Sequence, residues 1–269
     1  MPDGRSAEPF GDERLLRAQL QLHVDRSHLR ALPGTFEQGR TFGLVNVSPS
    51  EIAERIASAR FPERLLVHAE ERCSDEITDR LAGLGYRVSA PLALMTGAAP
   101  VVASRCQQIL EGGRLEGGLC YVGITQQSPP SLVRGVQELQ SICGITPLPG
   151  WYLRGVELPV LTVAIVDSRG APIGVGSVQD IGSAGSDARS AVGLAICVAE
   201  QHRGRGLGTL LNSRLLADGL MRFGSGRVQE IVDDPASGSM RMNERCGLRR
   251  DPASHYLFAE LGSPDRRGA

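Results

Sequence analysis

The chain has 269 residues, 41% hydrophobic and 22% charged, a composition that suits a folded globular protein and excludes one that is mainly disordered. Its 29 basic residues are all arginine and face 30 acidic ones, so a formal net charge of -1 leaves no basic field for coating nucleic acid. No apolar run nears the ~20 residues of a membrane span, Met1 opens no signal segment, and six scattered cysteines lack C-x-x-C spacing, so we expect a cytoplasmic protein with buried free thiols and no metal.

Residues 1–13 and 262–269 are polar and rich in Gly, Pro and charge, as frayed ends are. Between them, Ser48-Pro49-Ser50 followed by Ile52, Ile56 and Ala59 predicts a helix over 50–60. A buried strand follows at 65–67. Ser74 then caps a helix over 74–84, with Ile77 and Leu81 on one face and Gly85 as its stop, and 86–95 closes the unit as a strand. The chain divides near residue 100, giving a first domain over 1–105, a linker over 106–116 and a second domain over 117–262, with 263–269 as a tail.

In the second domain a strand over 119–124 leads to Ser128-Pro129-Pro130-Ser131, which starts a helix carrying Leu132, Val136, Leu139 and Ile142 on one face. Pro147, Pro149 and Gly150 break the chain ahead of Trp151-Tyr152. Strands over 158–167 and 173–181 form a hairpin around Ser168-Arg169-Gly170. A Gly/Ser/Asp loop over 182–189 leads to a strand over 191–198. Next come the turn Arg203-Gly204-Arg205-Gly206-Leu207-Gly208 and a helix with the stripe Leu207, Leu210, Leu211, Leu215 and Leu216. A strand over 228–232, a short helix and a final strand over 256–259 complete an α/β chain with a mixed sheet.

Strand, glycine-rich turn and helix together make an anion site, because the first amides of a helix lack partners and its dipole favours negative charge. A Walker loop needs a lysine, and the chain has none. The Rossmann fingerprint fails as well, since Thr209 stands where its third glycine belongs. Nucleoside triphosphates and NAD are therefore poor candidates.

The pattern that fits is R-x-x-G-x-G, and the turn resembles the acyl-CoA-binding signature of the GCN5-related N-acetyltransferase (GNAT) superfamily. The resemblance implies that the amides of Arg203, Gly204, Arg205, Gly206, Leu207, Gly208 and Thr209 hold the pyrophosphate of acetyl-CoA or another acyl-CoA. It also implies that the backbone of Ile196, Cys197 and Val198 pairs with the pantetheine arm. The stretch "MNERCGLRRDP" resembles the family's ending, with Gly247-Leu248 in the Gly-Phe position.

The order strand, helix, glycine pair and closing strand recurs upstream in "ERLLVHAE", "LAGLGYRV" and "ALM", so the first domain looks like a degenerate second copy of the fold. Arg80 to Gly85 spells the same pattern there but closes a helix. That copy is expected to bind no CoA, and to pack on the active copy, shape its cleft or form a homodimer.

The activity implied is transfer of an acyl group to a primary amine of a small molecule or peptide. Relatives often place a glutamate in the strand before the signature, where Ala191 to Ile196 is wholly apolar, and a tyrosine where this chain has Asn243. Candidate replacements are Asp234, beside Asp233, together with Asn243 and Tyr256; Trp151, Tyr152 and Arg154 are candidates for lining the acceptor site. The missing catalytic groups keep open a non-catalytic acyl-CoA-binding or regulatory protein. A third reading is an acyltransferase fed by aminoacyl-tRNA, the one role in which nucleic acid is a partner.

Overall fold

The first helix begins at Asp12, whose side chain accepts the Leu15 N–H at 2.8 Å and satisfies one of the amides a helix start leaves unpaired. The structure is a computed structural model and describes residues 8–32, 34–156, 158–181, 189–233 and 238–262. Helix α1 (Glu13–Arg30) buries Leu15, Ala18, Leu22 and Leu29, with Gln19 and His23 among them. Those polar residues break the apolar period, which hides the helix from a pattern reading.

Strands β1 (Thr35–Glu37) and β2 (Phe42–Leu44) pair antiparallel. Ser48 and Glu51 cap a short 3-10 turn reciprocally, and α2 (Ile52–Ser58) follows. After β3 (Arg64–Glu70) comes α3 (Ser74–Gly83), with Cys73 rather than Ser74 in the cap position. The single strand expected over 86–95 is two, β4 (Tyr86–Val88) and β5 (Leu92–Ala98). Pro91 lies between them and has no N–H to give a ladder. The linker expected over 106–116 falls largely within a helix, α4 (Ala99–Gly112), whose buried Val102 and Cys106 pack against the second half.

That half continues through β6 (Cys120–Ile124), α5 (Pro130–Ile142), α6 (Gly150–Leu153), β7 (Val160–Val166), β8 (Pro172–Ile181) and β9 (Ser190–Val198). It ends with α7 (Leu207–Phe223), β10 (Arg227–Val232), α8 (Gly238–Arg245) and β11 (Arg249–Leu261). Ile142, expected on a buried face, is 81% exposed because α5 stops there. Cys120 is exposed, against the expectation of a buried thiol, and all six cysteines are free.

The strands form one mixed sheet in the order β1-β2-β3-β11-β5-β10-β9-β8-β7-β6, with β4 also on β11. Strand β5 lies between β10 and β11, and β11 reaches back to lie between β3 and β5. Each half therefore places a strand inside the other's share of the sheet. Helices α4 and α7 cover one face, where Leu211, Leu215 and Leu216 are fully buried and contribute roughly 1.5–3 kcal/mol each. Helices α5 and α6 cover the other face beside Phe36 and Tyr256. A third cluster fills the first half beneath α2 and α3. Among the described residues no helix is long and apolar enough to cross a membrane.

Candidate active site

Strands β9 and β10 run parallel but stay paired only from Ser190↔Arg227 to Gly193↔Glu230. Beyond that point β10 continues along β5 as far as Val232, while β9 continues along β8 to Val198. The sheet opens into a fork, and among the described residues Leu194 to Val198 have no strand partner on the β10 side. A bulge opposite Gly176 helps to turn β9 away: the register with β8 shifts there, and Ala195 has φ 52°.

The glycine-rich turn lies at the mouth of the fork. Gly204 and Gly206 have φ 76° and 78°, values that favour glycine, and a Cβ on either would meet nothing within 4 Å. The turn is thus tightly wound, with open space above it. Among the described residues, the amides of residues 204–209 make no backbone hydrogen bond before Leu210 N–H reaches the Gly206 carbonyl at 3.1 Å. Gly208 lies in the first turn of α7 against Met242 of α8, and Thr209 is half-buried. Unpaired amides, an open approach and a helix start suit a pyrophosphate.

Arg203 folds back along β9, its Nε donating to the Val198 carbonyl at 3.0 Å, and Arg205 is exposed beside His202. The Cys143 thiol donates to the same carbonyl at 3.6 Å. The Val198 carbonyl thus accepts from two side chains of the protein. A hydrogen bond from Cys197, assisted by Arg203, outweighs burial and lowers the Cys143 pKa. A cleft of about 490 Å³ is lined by Arg14, Arg64 and Glu260 together with Ser141, Gly144 and Ile145.

On the α7 side of the fork, Asn212 of α7 donates to the Asn243 carbonyl oxygen at 2.9 Å, and both side chains are fully buried. Glu230, which the sequence reading missed, lies against them. Burial pushes its carboxyl up to about 7, although contacts with Asn212 and Asn243 hold it down. Glu230 Oε1, Asn212 Oδ1 and Asn243 Nδ2 are buried without hydrogen-bond partners. Glu230 did leave a signal: Val228, Glu230 and Val232 alternate along β10, so the glutamate had to point inward with the valines.

The other candidates are placed differently. Asp234 and residues 182–188 of the Gly/Ser/Asp loop lie outside the described residues, whereas Asp233 is exposed at the end of β10. Tyr256 is 1% exposed and packs edge-on against Phe36 and His68; burial raises its hydroxyl pKa, which makes it a poor proton donor. Trp151 and Tyr152 are core residues rather than a free aromatic wall, and Tyr152 donates to Gln179 at 2.6 Å. Trp151 packs on the His23 ring of α1 and edge-on against Tyr152.

Arg154 is fully employed within the fold. It pairs with Glu8 through two hydrogen bonds of 2.7 and 2.9 Å and donates to the carbonyls of Thr125, Gln126 and Ser128. This corrects its expected role in acceptor binding, and shows the chain anchored from Glu8 onward, inside the expected frayed end. Arg154→Ala should destabilise the protein by about 2 kcal/mol, through loss of a partly buried pair and three carbonyl contacts. Denaturant unfolding reads the loss, and an unchanged midpoint would contradict it.

Among the described residues no group of three or more His, Cys, Asp or Glu could hold a metal ion. Residues 141–248 match the model of the acetyltransferase (GNAT) family. A GCN5-related N-acetyltransferase from Kribbella flavida superposes with a TM-score of 0.56 at 12% identity, over 91% of this chain and 96% of that one. A tandem GNAT protein from the clavulanic acid biosynthesis pathway gives 0.54 at 17%, over 97% and 93%. A GNAT-family acetyltransferase structure from Novosphingobium aromaticivorans gives 0.54 at 14%, over 90% and 96%. These superpositions run through both halves, and at such identities they establish a shared fold. No curated protein sequence matches the chain.

Proposed function

We propose that the protein is an acyl-CoA-dependent N-acyltransferase, with acetyl-CoA the simplest donor and a primary amine the acceptor. The observation that carries this reading is the fork between β9 and β10 with the open glycine turn at its mouth. The amides of residues 204–209 would hold the pyrophosphate. The partnerless Asn212 Oδ1 and Asn243 Nδ2 offer one acceptor and one donor to an amide-bearing arm entering the fork.

In the reaction, the amine nitrogen attacks the thioester carbonyl carbon, a C–N bond forms and the C–S bond breaks. The nitrogen must lose a proton, and the departing thiolate gains one from solvent. Asp233 is the carboxylate assigned to the amine proton, being exposed at the end of β10 on the open side of the fork. An unpaired amide of β9 beyond Gly193 would steady the carbonyl oxygen as it gains charge.

The test is release of the free CoA thiol from acetyl-CoA in the presence of a primary-amine panel. Release should require an amine, and Asp233→Asn should lower kcat by on the order of 10²-fold. No acetyl-CoA binding and no release above the amine-free background would end this reading.

A further inference from the structure

Arg40 lies between β1 and β2, in the half expected to be silent. Gly39 beside it has φ 68°, and a Cβ there would sit 2.8 Å from the Tyr152 ring, so the hairpin tip is pressed against α6 of the other half. The Gln38 N–H closes the tip on the Thr41 carbonyl at 3.0 Å. The guanidinium is within electrostatic reach of Tyr152, of the Asp233 carboxylate at the end of β10, and of Cys197, which pairs with β8 but has no strand partner on the β10 side. The last two stand on opposite arms of the fork. The first half therefore delivers a cation to the second half's opening.

Among the described residues that cation has no close partner. Arg40 Nη1 is buried with no hydrogen-bond partner, and among the described residues Arg40 forms no ion pair. Arg64 nearby adds like charge and is itself paired with Glu260 at 3.2 Å. Burial and then Arg64 bring the Arg40 pKa down to about 10, so it still carries its charge at neutral pH. An enclosed cation without a partner destabilises a fold, and a ligand anion would remove that penalty.

We propose that Arg40 receives the carboxylate of the acyl acceptor, which makes the acceptor an amino acid rather than a plain amine. This inference rests on the acyltransferase reading. A guanidinium offers parallel donors to a carboxylate, whereas Asp233 close by complements the ammonium end of the same molecule. A zwitterion with adjacent opposite charges matches an arginine and an aspartate within electrostatic reach of each other. The positive end is held where its proton must leave.

The experiment compares wild type with Arg40→Met, which removes the charge, and Arg40→Lys, which keeps the charge but loses the planar fork. L-Leucine, L-phenylalanine and L-methionine are the probes, each against its decarboxylated amine. Wild type should favour the amino acids in kcat/KM by on the order of 10²-fold, mainly through KM. Arg40→Met should bring them down to the level of the plain amines, with Arg40→Lys in between. Equal rates on the two sets in wild type, or a loss of one common factor in Arg40→Met, would overturn the proposal and leave acyl transfer standing.

A second readout does not depend on turnover. Titration of CoA-loaded wild type and Arg40→Met with N-acetyl-L-leucine should show binding only in wild type, and equal binding or none in wild type overturns the proposal. Arg40→Met should also melt above wild type, because it removes a buried charge that has no ion pair among the described residues. A lower melting temperature would mean that the arginine holds the fold together, against the proposal.

Discussion

Replacing Gly206 with valine should weaken acetyl-CoA binding at least about 10²-fold, equivalent to more than about 2.7 kcal/mol, while leaving the protein folded. The residue has φ 78°, and a β-branched side chain there strains the backbone by about 1–3 kcal/mol. No atom lies within 4 Å of the new Cβ, so the valine meets no clash; it relieves strain by rotating the turn and disperses the amides of residues 204–209. Gly170→Val is the control. Gly170 has φ 79° and the same open surroundings, but lies in the β7–β8 hairpin turn. Calorimetric titration should find acetyl-CoA affinity lost in the first variant and kept in the second. Equal affinities would place the cradle elsewhere.

The second large effect concerns pH. Glu230 titrates near 7 in the folded protein, mainly because of burial, against an ordinary value of 4.5. Between these values the unfolded chain gives up its proton and the folded one keeps it, so the protein loses stability as pH rises from 4.5 through 7. The difference corresponds to about 3 kcal/mol, fully lost above pH 7. Below 4.5 both states are protonated and the contribution is complete. Glu230→Gln should therefore be more stable than wild type at pH 8 by up to about 3 kcal/mol, with the gap closing toward pH 4.5. Denaturant unfolding across this range reads it, and parallel profiles for the two proteins would refute it.

The turn and the elements around it were legible because local chemistry writes them plainly. Glycines mark positive φ, the leucines of α7 repeat at helical spacing, and the β7–β8 hairpin is announced by Ser168-Arg169-Gly170. Helices α1 and α4 were missed for a physical reason: one buries Gln19 and His23 beside its leucines, and the other buries little beyond Val102 and Cys106. Arg40 gave no local signal at all. Its significance arises only when a hairpin tip meets α6 and two distant strands, a coincidence made by tertiary packing. Arg154 and Trp151 misled for the opposite reason, since an arginine and an aromatic pair near a loop look the same whether they await a ligand or brace the fold.

The placement of β5 and β11 means that the two halves are not modules in the sense of parts that can be lifted out. Excising the second half would strip β10 of its neighbour β5 and leave a bare edge beside the fork, open to pairing with any passing strand. Excising the first would take β11 from between β3 and β5. A single proteolytic nick between α4 and β6 would instead yield two fragments clasped by backbone hydrogen bonds. With the strands interlocked, neither half can be dispensed with.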